Sequence, residues 1–182
     1  MAHQVVVIGA GFGGIGMAIA LKQAGIEDFV VLDRASDLGG TWRDNTYPGL
    51  TCDIPSQLYS FSFRPWRWSR RFPPREEILA YLHALVAERG LGPHLRFCHG
   101  VAAAEFDEHR AVWNLALDDG GTLQARAVVC ALGQLGRPAR RQRAGPGILV
   151  RQQAGRLIRV TDLERTRKLR TPLSQPLRAA RA

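Results

Sequence analysis

The chain opens with a short apolar run, Gln4–Ile8, rich in valine and without alternation. A run of that length and pattern predicts a strand buried on both faces. Glycines follow, and Ile15 to Ala24 then reads as a helix that Gly25 stops. Phe29–Leu32 repeats the buried-strand pattern and ends on Asp33. Strand, helix and strand within about thirty residues predict a β-α-β unit with a right-handed parallel crossover. Residues 34–74 lose any clean period and are crowded with aromatics, Gly and Pro. Compact domains rarely carry so long an irregular stretch unless it has a task. Periodicity returns at 75–89, where Ile78, Leu79, Leu82, Leu85 and Val86 share a helix face and Gly90 closes it. Val101–Phe106, Val112–Leu117 and Thr122–Ala125, with Asp119-Gly120-Gly121 as a turn, predict a three-strand antiparallel meander. Ala127–Leu132 reads as a further buried strand ending in Gly133. Strands 4–8, 29–33 and 127–132 are expected to share one parallel sheet.

The glycines between the first strand and helix change the picture from fold to ligand. Gly9-Ala10-Gly11-Phe12-Gly13-Gly14 matches GxGxxG, and an acid, Asp33, ends the next strand 19 residues after Gly14. That context makes a common pattern specific for a dinucleotide. Gly9 permits a tight turn, Gly11 lets backbone N–H groups approach a pyrophosphate, and Gly14 lets helix and strand pack closely. The helix N-terminus offers unpaired N–H groups and partial positive charge to an anion. Asp33 can accept both hydroxyls of an unphosphorylated adenosine ribose. The fold class is therefore α/β, a Rossmann-like domain. The fingerprint alone does not separate FAD from NAD.

Charge divides the chain in two. Residues 1–138 carry 13 Lys+Arg and 14 Asp+Glu, a net −1, whereas 139–182 carry 12 Lys+Arg against Asp162 and Glu164, a net +10. Every Trp, Tyr and Phe lies in the first part. Cys52, Cys98 and Cys130 are odd in number and far apart, which argues against a disulfide framework or zinc site and fits the cytoplasm. The five histidines show no ligand spacing, so no metal site is expected. The apolar stretch from Val5 to Leu21 lacks a basic leader and is broken by glycines, so neither a signal peptide nor a membrane span is expected.

The irregular stretch separates FAD from NAD. It reads Asp37-Leu38-Gly39-Gly40-Thr41-Trp42, then Tyr47-Pro48-Gly49-Leu50-Thr51-Cys52-Asp53-Ile54-Pro55-Ser56, then Tyr59-Ser60-Phe61-Ser62-Phe63. Here the chain resembles the flavin-containing and Baeyer–Villiger monooxygenases, whose N-terminal FAD domain carries GGTW followed by YPGxxCDxPSxxYxFSF. The resemblance continues through Trp68, Phe72 and Glu77-Ile78-Leu79-Ala80-Tyr81 to Ala131-Leu132-Gly133-Gln134-Leu135-Gly136-Arg137-Pro138, similar to the family's ATGxLxxP. Leu132 departs from it, standing where a Thr or Ser is usual. The resemblance implies that Gly9, Gly11, Phe12, Gly13, Gly14, Asp33, Arg34, Gly40, Thr41 and Trp42 line FAD. It places Asp53 near the flavin ring as the candidate catalytic carboxylate. Cys52 reads as a small buried residue rather than a nucleophile.

The resemblance also implies an activity. NADPH reduces the bound FAD, and the reduced flavin takes up O2 and delivers oxygen to a ketone or to a nitrogen or sulfur of a small molecule. The YPGxxCD stretch leans toward the Baeyer–Villiger side. Three parts that this needs are not found in the sequence. They are a second GxGxxG for NADPH, the fingerprint FxGxxxHxxxW, and the segment that completes the FAD domain. Residues 1–138 are thus expected to form a partial FAD-binding Rossmann-like domain, inactive alone, binding FAD weakly or not at all, and prone to self-association. Residues 139–182 are expected to be a basic, Arg-rich tail, disordered or read out of frame, with a capping-box signal at Thr161–Glu164. Two alternatives stand beside this. One is a non-catalytic nucleotide-binding module completed by a partner chain. The other is a nucleic-acid-binding protein that acts through the tail.

Overall fold

The computed structural model describes residues 1–133 and the backbone of two further strands, 149–152 and 156–159. Strand β1 (His3–Ile8) is central. It pairs in parallel with β2 (Phe29–Leu32), Val5 opposite Phe29 and Ile8 opposite Leu32. On its other side it pairs in parallel with β6 (Thr122–Cys130), Val5 opposite Ala127 and Ile8 opposite Cys130. A two-residue β3 (Leu95–Arg96), which the hydrophobic pattern was too short to reveal, extends the parallel part beyond β2. The meander adds β5 (Val112–Leu117) and β4 (Val101–Asp107), giving the order β3-β2-β1-β6-β5-β4. The expected parallel sheet with a three-strand meander is therefore present.

One element differs from expectation. The runs 122–125 and 127–132 are a single strand, β6, because the chain changes partner without breaking. Its first half pairs antiparallel with β5, Thr122 opposite Ala116 and Ala125 opposite Trp113. Its second half runs along β1, and Arg126 between them faces solvent. The sheet continues past β4 with β7 (Leu149–Gln152), parallel to it, and β8 (Arg156–Arg159), which forms a hairpin with β7. Those eight residues are all that is described of the expected tail. The boundary at 138 and the capping box at Thr161 lie outside the described residues.

The four apolar residues of β1 divide between two faces, as a strand buried on both sides must. Val5 and Val7 pack with Ile15, Ala18 and Ile19 of α1 (Phe12–Gln23) and with Tyr81, Leu82 and Leu85 of α3 (Arg75–Glu88). Val6 and Ile8 pack with Val101, Ala104, Leu115 and Leu117, so the meander folds over the opposite face. Each such buried aliphatic contributes roughly 1.5–3 kcal/mol. Both helices end as their glycines predict. Gly25 and Gly90 take positive φ, with Ile26 N–H donating to the Leu21 carbonyl and Leu91 N–H to that of Val86. These are Schellman closures, which satisfy carbonyls left over at a helix end.

Residues 34–74 hold short helix α2 (Thr41–Asp44) and a single 3-10 turn at Ser56–Leu58. They fold back on themselves. Cys52 N–H donates to the Pro73 carbonyl at 2.9 Å and Ser56 N–H to that of Arg71 at 2.7 Å. The buried Tyr81 hydroxyl accepts from Phe61 N–H at 2.9 Å and donates to the Arg64 carbonyl at 3.0 Å, fastening the stretch to α3.

Candidate nucleotide-binding site

Helix α1 starts three residues earlier than its apolar pattern suggests, at Phe12, so Gly13 and Gly14 are its first turn. Glycine costs about 1 kcal/mol inside a helix relative to alanine, and here space demands it. A Cβ on Gly14 would lie 1.8 Å from the Gly9 carbonyl oxygen. Gly9 has φ +107°, and a Cβ there would lie 2.5 Å from the carbonyl oxygen of Ala131, at the end of β6. Gly9 and Gly14 are thus required by the fold itself.

Gly11 and Gly13 are not. Gly11 has an ordinary φ of −79°, and its nearest neighbour for an added Cβ is the Gly40 Cα at 3.7 Å. Gly13 is exposed and would meet only the Ala131 methyl, at 4.0 Å. The Gly39-Gly40 turn, both residues at positive φ, faces the loop from the other side; a Cβ on Gly40 would lie 3.2 Å from the Gly11 Cα. Two bare backbones thus line a cradle at the head of α1. Gly11 caps that helix without a side chain, and its first turn holds no acid. The first-turn N–H groups, which no helix satisfies internally, are offered outward. This geometry fits a pyrophosphate.

Asp33 lies buried just past β2. Its Oδ2 accepts from Ala10 N–H at 2.8 Å and its Oδ1 from Ala35 N–H at 2.9 Å. The acid expected at the ribose therefore also holds the phosphate loop. Arg34 is exposed beside it. Thr41 begins α2 half-buried, and Trp42 is buried against Cys52 and Ile78, with its indole N–H donating to the Tyr59 hydroxyl at 2.9 Å. Phe12 stacks obliquely between Phe61 at 4.5 Å and Tyr59 at 5.1 Å. The distant aromatic motif is thereby brought onto the first turn of α1. Burial pushes the Tyr59 phenol up, opposed by the Trp42 hydrogen bond and reinforced by Asp53. Burial also raises the Cys52 thiol, which suits a packing residue rather than a nucleophile. Asp53 is exposed on the turn after Cys52.

Two further residues shape the loop without having been assigned a role from the sequence. Ala131 presents its methyl and carbonyl to Gly9, Gly13 and Gly14. Arg43 donates to Asp33 Oδ1 at 3.4 Å, to Asp44 Oδ1 at 2.8 Å and to the Asp37 carbonyl. Burial opposes its charge, but the Asp44 hydrogen bond and the carboxylates of Asp33 and Asp44 raise its pKa. Arg43 carries no motif signal, whereas Ala131 opens the stretch similar to ATGxLxxP, whose contact with the glycines only the fold reveals. Among the described residues no three His, Cys, Asp or Glu side chains gather as metal ligands, and no helix is long and apolar enough to cross a membrane.

A parallel β-α-β unit, a glycine cradle at a helix head and an acid after β2 define a Rossmann-like dinucleotide-binding domain. The family of NAD(P)-binding Rossmann-like domains matches residues 7–72. A Baeyer–Villiger monooxygenase of Streptomyces coelicolor is 51% identical over 136 residues, covering 74% of this chain and 26% of that protein. The crystal structure of cyclohexanone monooxygenase from Rhodococcus sp. Phi1 bound to NADP+ superposes with a TM-score of 0.73 at 35% identity, over 78% of this chain and 28% of that one. OTEMO in complex with FAD and NADP gives 0.70 at 33% identity, over 78% and 27%. Over about three-quarters of its length the chain is similar to Baeyer–Villiger monooxygenases, and it spans about a quarter of the length of the curated relatives it matches.

Proposed function

We propose that this chain is the FAD-binding portion of an NADPH-dependent flavoprotein monooxygenase of Baeyer–Villiger type. Such an enzyme would act on a small-molecule ketone or a nitrogen or sulfur centre. The observation that carries the proposal is the uncapped head of α1, faced by the bare backbones of Gly11 and Gly40. First-turn N–H groups from Phe12 to Gly14 would hold the pyrophosphate, assisted by the helix dipole. Asp33 keeps lone pairs on both oxygens and would accept ribose hydroxyls while still holding the Ala10 peptide. Arg34, Gly40, Thr41 and Trp42 would line the cofactor, and Asp53 would supply a carboxylate toward its flavin end. Bound FAD would supply oxygen transfer driven by NADPH; the residues described here bind it, orient it and fix the loop around it. Turnover is assigned to the remaining three-quarters of the relatives' length, supplied in the same polypeptide or by a complementing chain. Support comes from the named FAD and NADP complexes among the structural neighbours.

The test is the visible absorbance of the purified chain after incubation with FAD and removal of the excess. Weak but saturable binding is expected on titration, with a flavin band shifted from that of free FAD. A folded chain that retains no flavin under these conditions, and shows no affinity by titration, would overturn the proposal.

A further inference from the structure

The Ala10 peptide, at the centre of the phosphate loop, is held on both sides. Its N–H donates to Asp33 Oδ2 at 2.8 Å, and its carbonyl accepts from Gly39 N–H at 2.9 Å. Both supports converge on one side chain. Arg43 donates to the other oxygen of Asp33, to the Asp37 carbonyl two residues before Gly39, and to Asp44 at the end of α2. The Arg43 and Asp33 side chains are only 17% and 9% exposed, so water does not substitute freely for either partner. A guanidinium presents several donors in a fixed plane and can serve three acceptors at once, which a lysine ammonium on a flexible stem cannot do in the same directions. Gly40, next to Gly39, is the residue that faces Gly11 across the cradle.

We infer that Arg43 is a positioning residue: through Asp33 and the 37–40 turn, its guanidinium fixes the Ala10 peptide and thereby the gap between Gly11 and Gly40. Its consequence for cofactor affinity rests on the reading of that gap as the pyrophosphate site. Without the guanidinium, Asp33 Oδ1 keeps only the Ala35 N–H, the buried carboxylate loses its countercharge, and its hold on the Ala10 N–H loosens. The loop then samples geometries in which its N–H groups no longer converge, and an anion must restore them on binding.

The experiment uses the 182-residue chain as wild type, Arg43→Met and Arg43→Lys, with Asp33→Asn and the Asp33→Asn/Arg43→Met double variant. Amide hydrogen exchange at residues 9–14 is read without ligand, and FAD and ADP affinities are read by titration. Arg43→Met is expected to speed exchange at Ala10 and to weaken FAD and ADP alike, on the order of tenfold, the effect of about one good hydrogen bond. Arg43→Lys is expected to fall between Met and wild type. The double variant should lose less than the sum of the two single variants, because both act on the Asp33 carboxylate. Wild-type exchange at Ala10 in a folded Arg43→Met protein overturns the inference, as do losses that simply add. If Arg43→Met does not fold, the Arg43→Lys exchange rate decides in the same way. If wild type binds neither FAD nor ADP, the functional reading fails, and exchange at Ala10 alone decides the role of Arg43.

Discussion

The two halves of the nucleotide site are held by different kinds of force. The β1-α1-β2 unit is held by continuous packing: eight buried strand residues, α1 and α3 over one face, the meander over the other, and glycines that allow backbones to touch. The stretch 34–74 has little regular structure of its own and is held at a few points by residues outside it, above all Tyr81, Phe12 and, through its own Arg43, Asp33. It also carries the exposed large hydrophobic residues Tyr47, Ile54, Leu58, Phe63 and Phe72, whereas the β-α-β unit exposes only Met1 among such side chains. The first region is thus packed continuously on both faces of its sheet. The second is a surface fastened at a few points.

The largest effect that tests this contrast is expected from Gly14→Ala. Its Cβ would lie 1.8 Å from the Gly9 carbonyl, within a turn that cannot yield without moving β1. Overpacking of this kind should cost about 3 kcal/mol or more, read from the urea unfolding midpoint. A folded variant of wild-type stability would mean that the loop is less tightly built than the contacts show. Tyr81→Phe comes next and tests the second region. It leaves Phe61 N–H and the Arg64 carbonyl without their shared hydroxyl, at an expected cost of about 1–3 kcal/mol. Faster amide exchange should be confined to the stretch near Phe61, with the β-α-β amides unchanged. Uniform acceleration would show that the two regions unfold as one.

Gly11→Ala sharpens the boundary between them. Its φ of −79° suits alanine and its Cβ would meet nothing closer than 3.7 Å, so stability should change by about 1 kcal/mol or less. The methyl nevertheless enters the cradle, and FAD affinity should fall by at least about tenfold. Equal losses of stability and affinity would mean that Gly11, like Gly14, serves packing rather than ligand approach.

The same contrast explains what the sequence made legible. Gly9, Gly14, Asp33 and the strands around them obey spacings set by short-range geometry, so a pattern of residues suffices to place them. The start of α1 was misplaced because glycines hide a helix whose reason is close packing. Strand β6 read as two because exposed Arg126 interrupts the apolar run where the strand changes partner. Arg43 gave no signal, since an arginine in a polar loop is meaningful only through the neighbours the fold gives it; Ala131 stood in a motif, but its contact with Gly9 and Gly14 needed the fold. Trp42 and Phe12 were expected at the cofactor, and the structure shows what they do besides. One is buried against Cys52 and Ile78, and the other lies under the aromatic cluster.

The smallest expected effect lies at the opposite end of the β-α-β unit, where Asp28 accepts from the His3 ring at 2.8 Å and from Gln4 N–H at 3.0 Å. The His3 hydrogen bond lowers the Asp28 pKa; slight burial opposes it, and the Gln4 N–H and the His3 charge add to it. A carboxyl whose pKa is lower folded than unfolded stabilises the fold above its unfolded pKa, about 3.9. That contribution disappears as pH falls through the folded value. Wild type should therefore exceed Asp28→Asn slightly in thermal midpoint at neutral pH, and the two should converge in acid below the ordinary carboxylate range. The group is solvent-exposed, so added salt should shrink the difference. An unchanged gap in acid would place the effect of Asp28 in its shape and hydrogen bonding rather than in its charge.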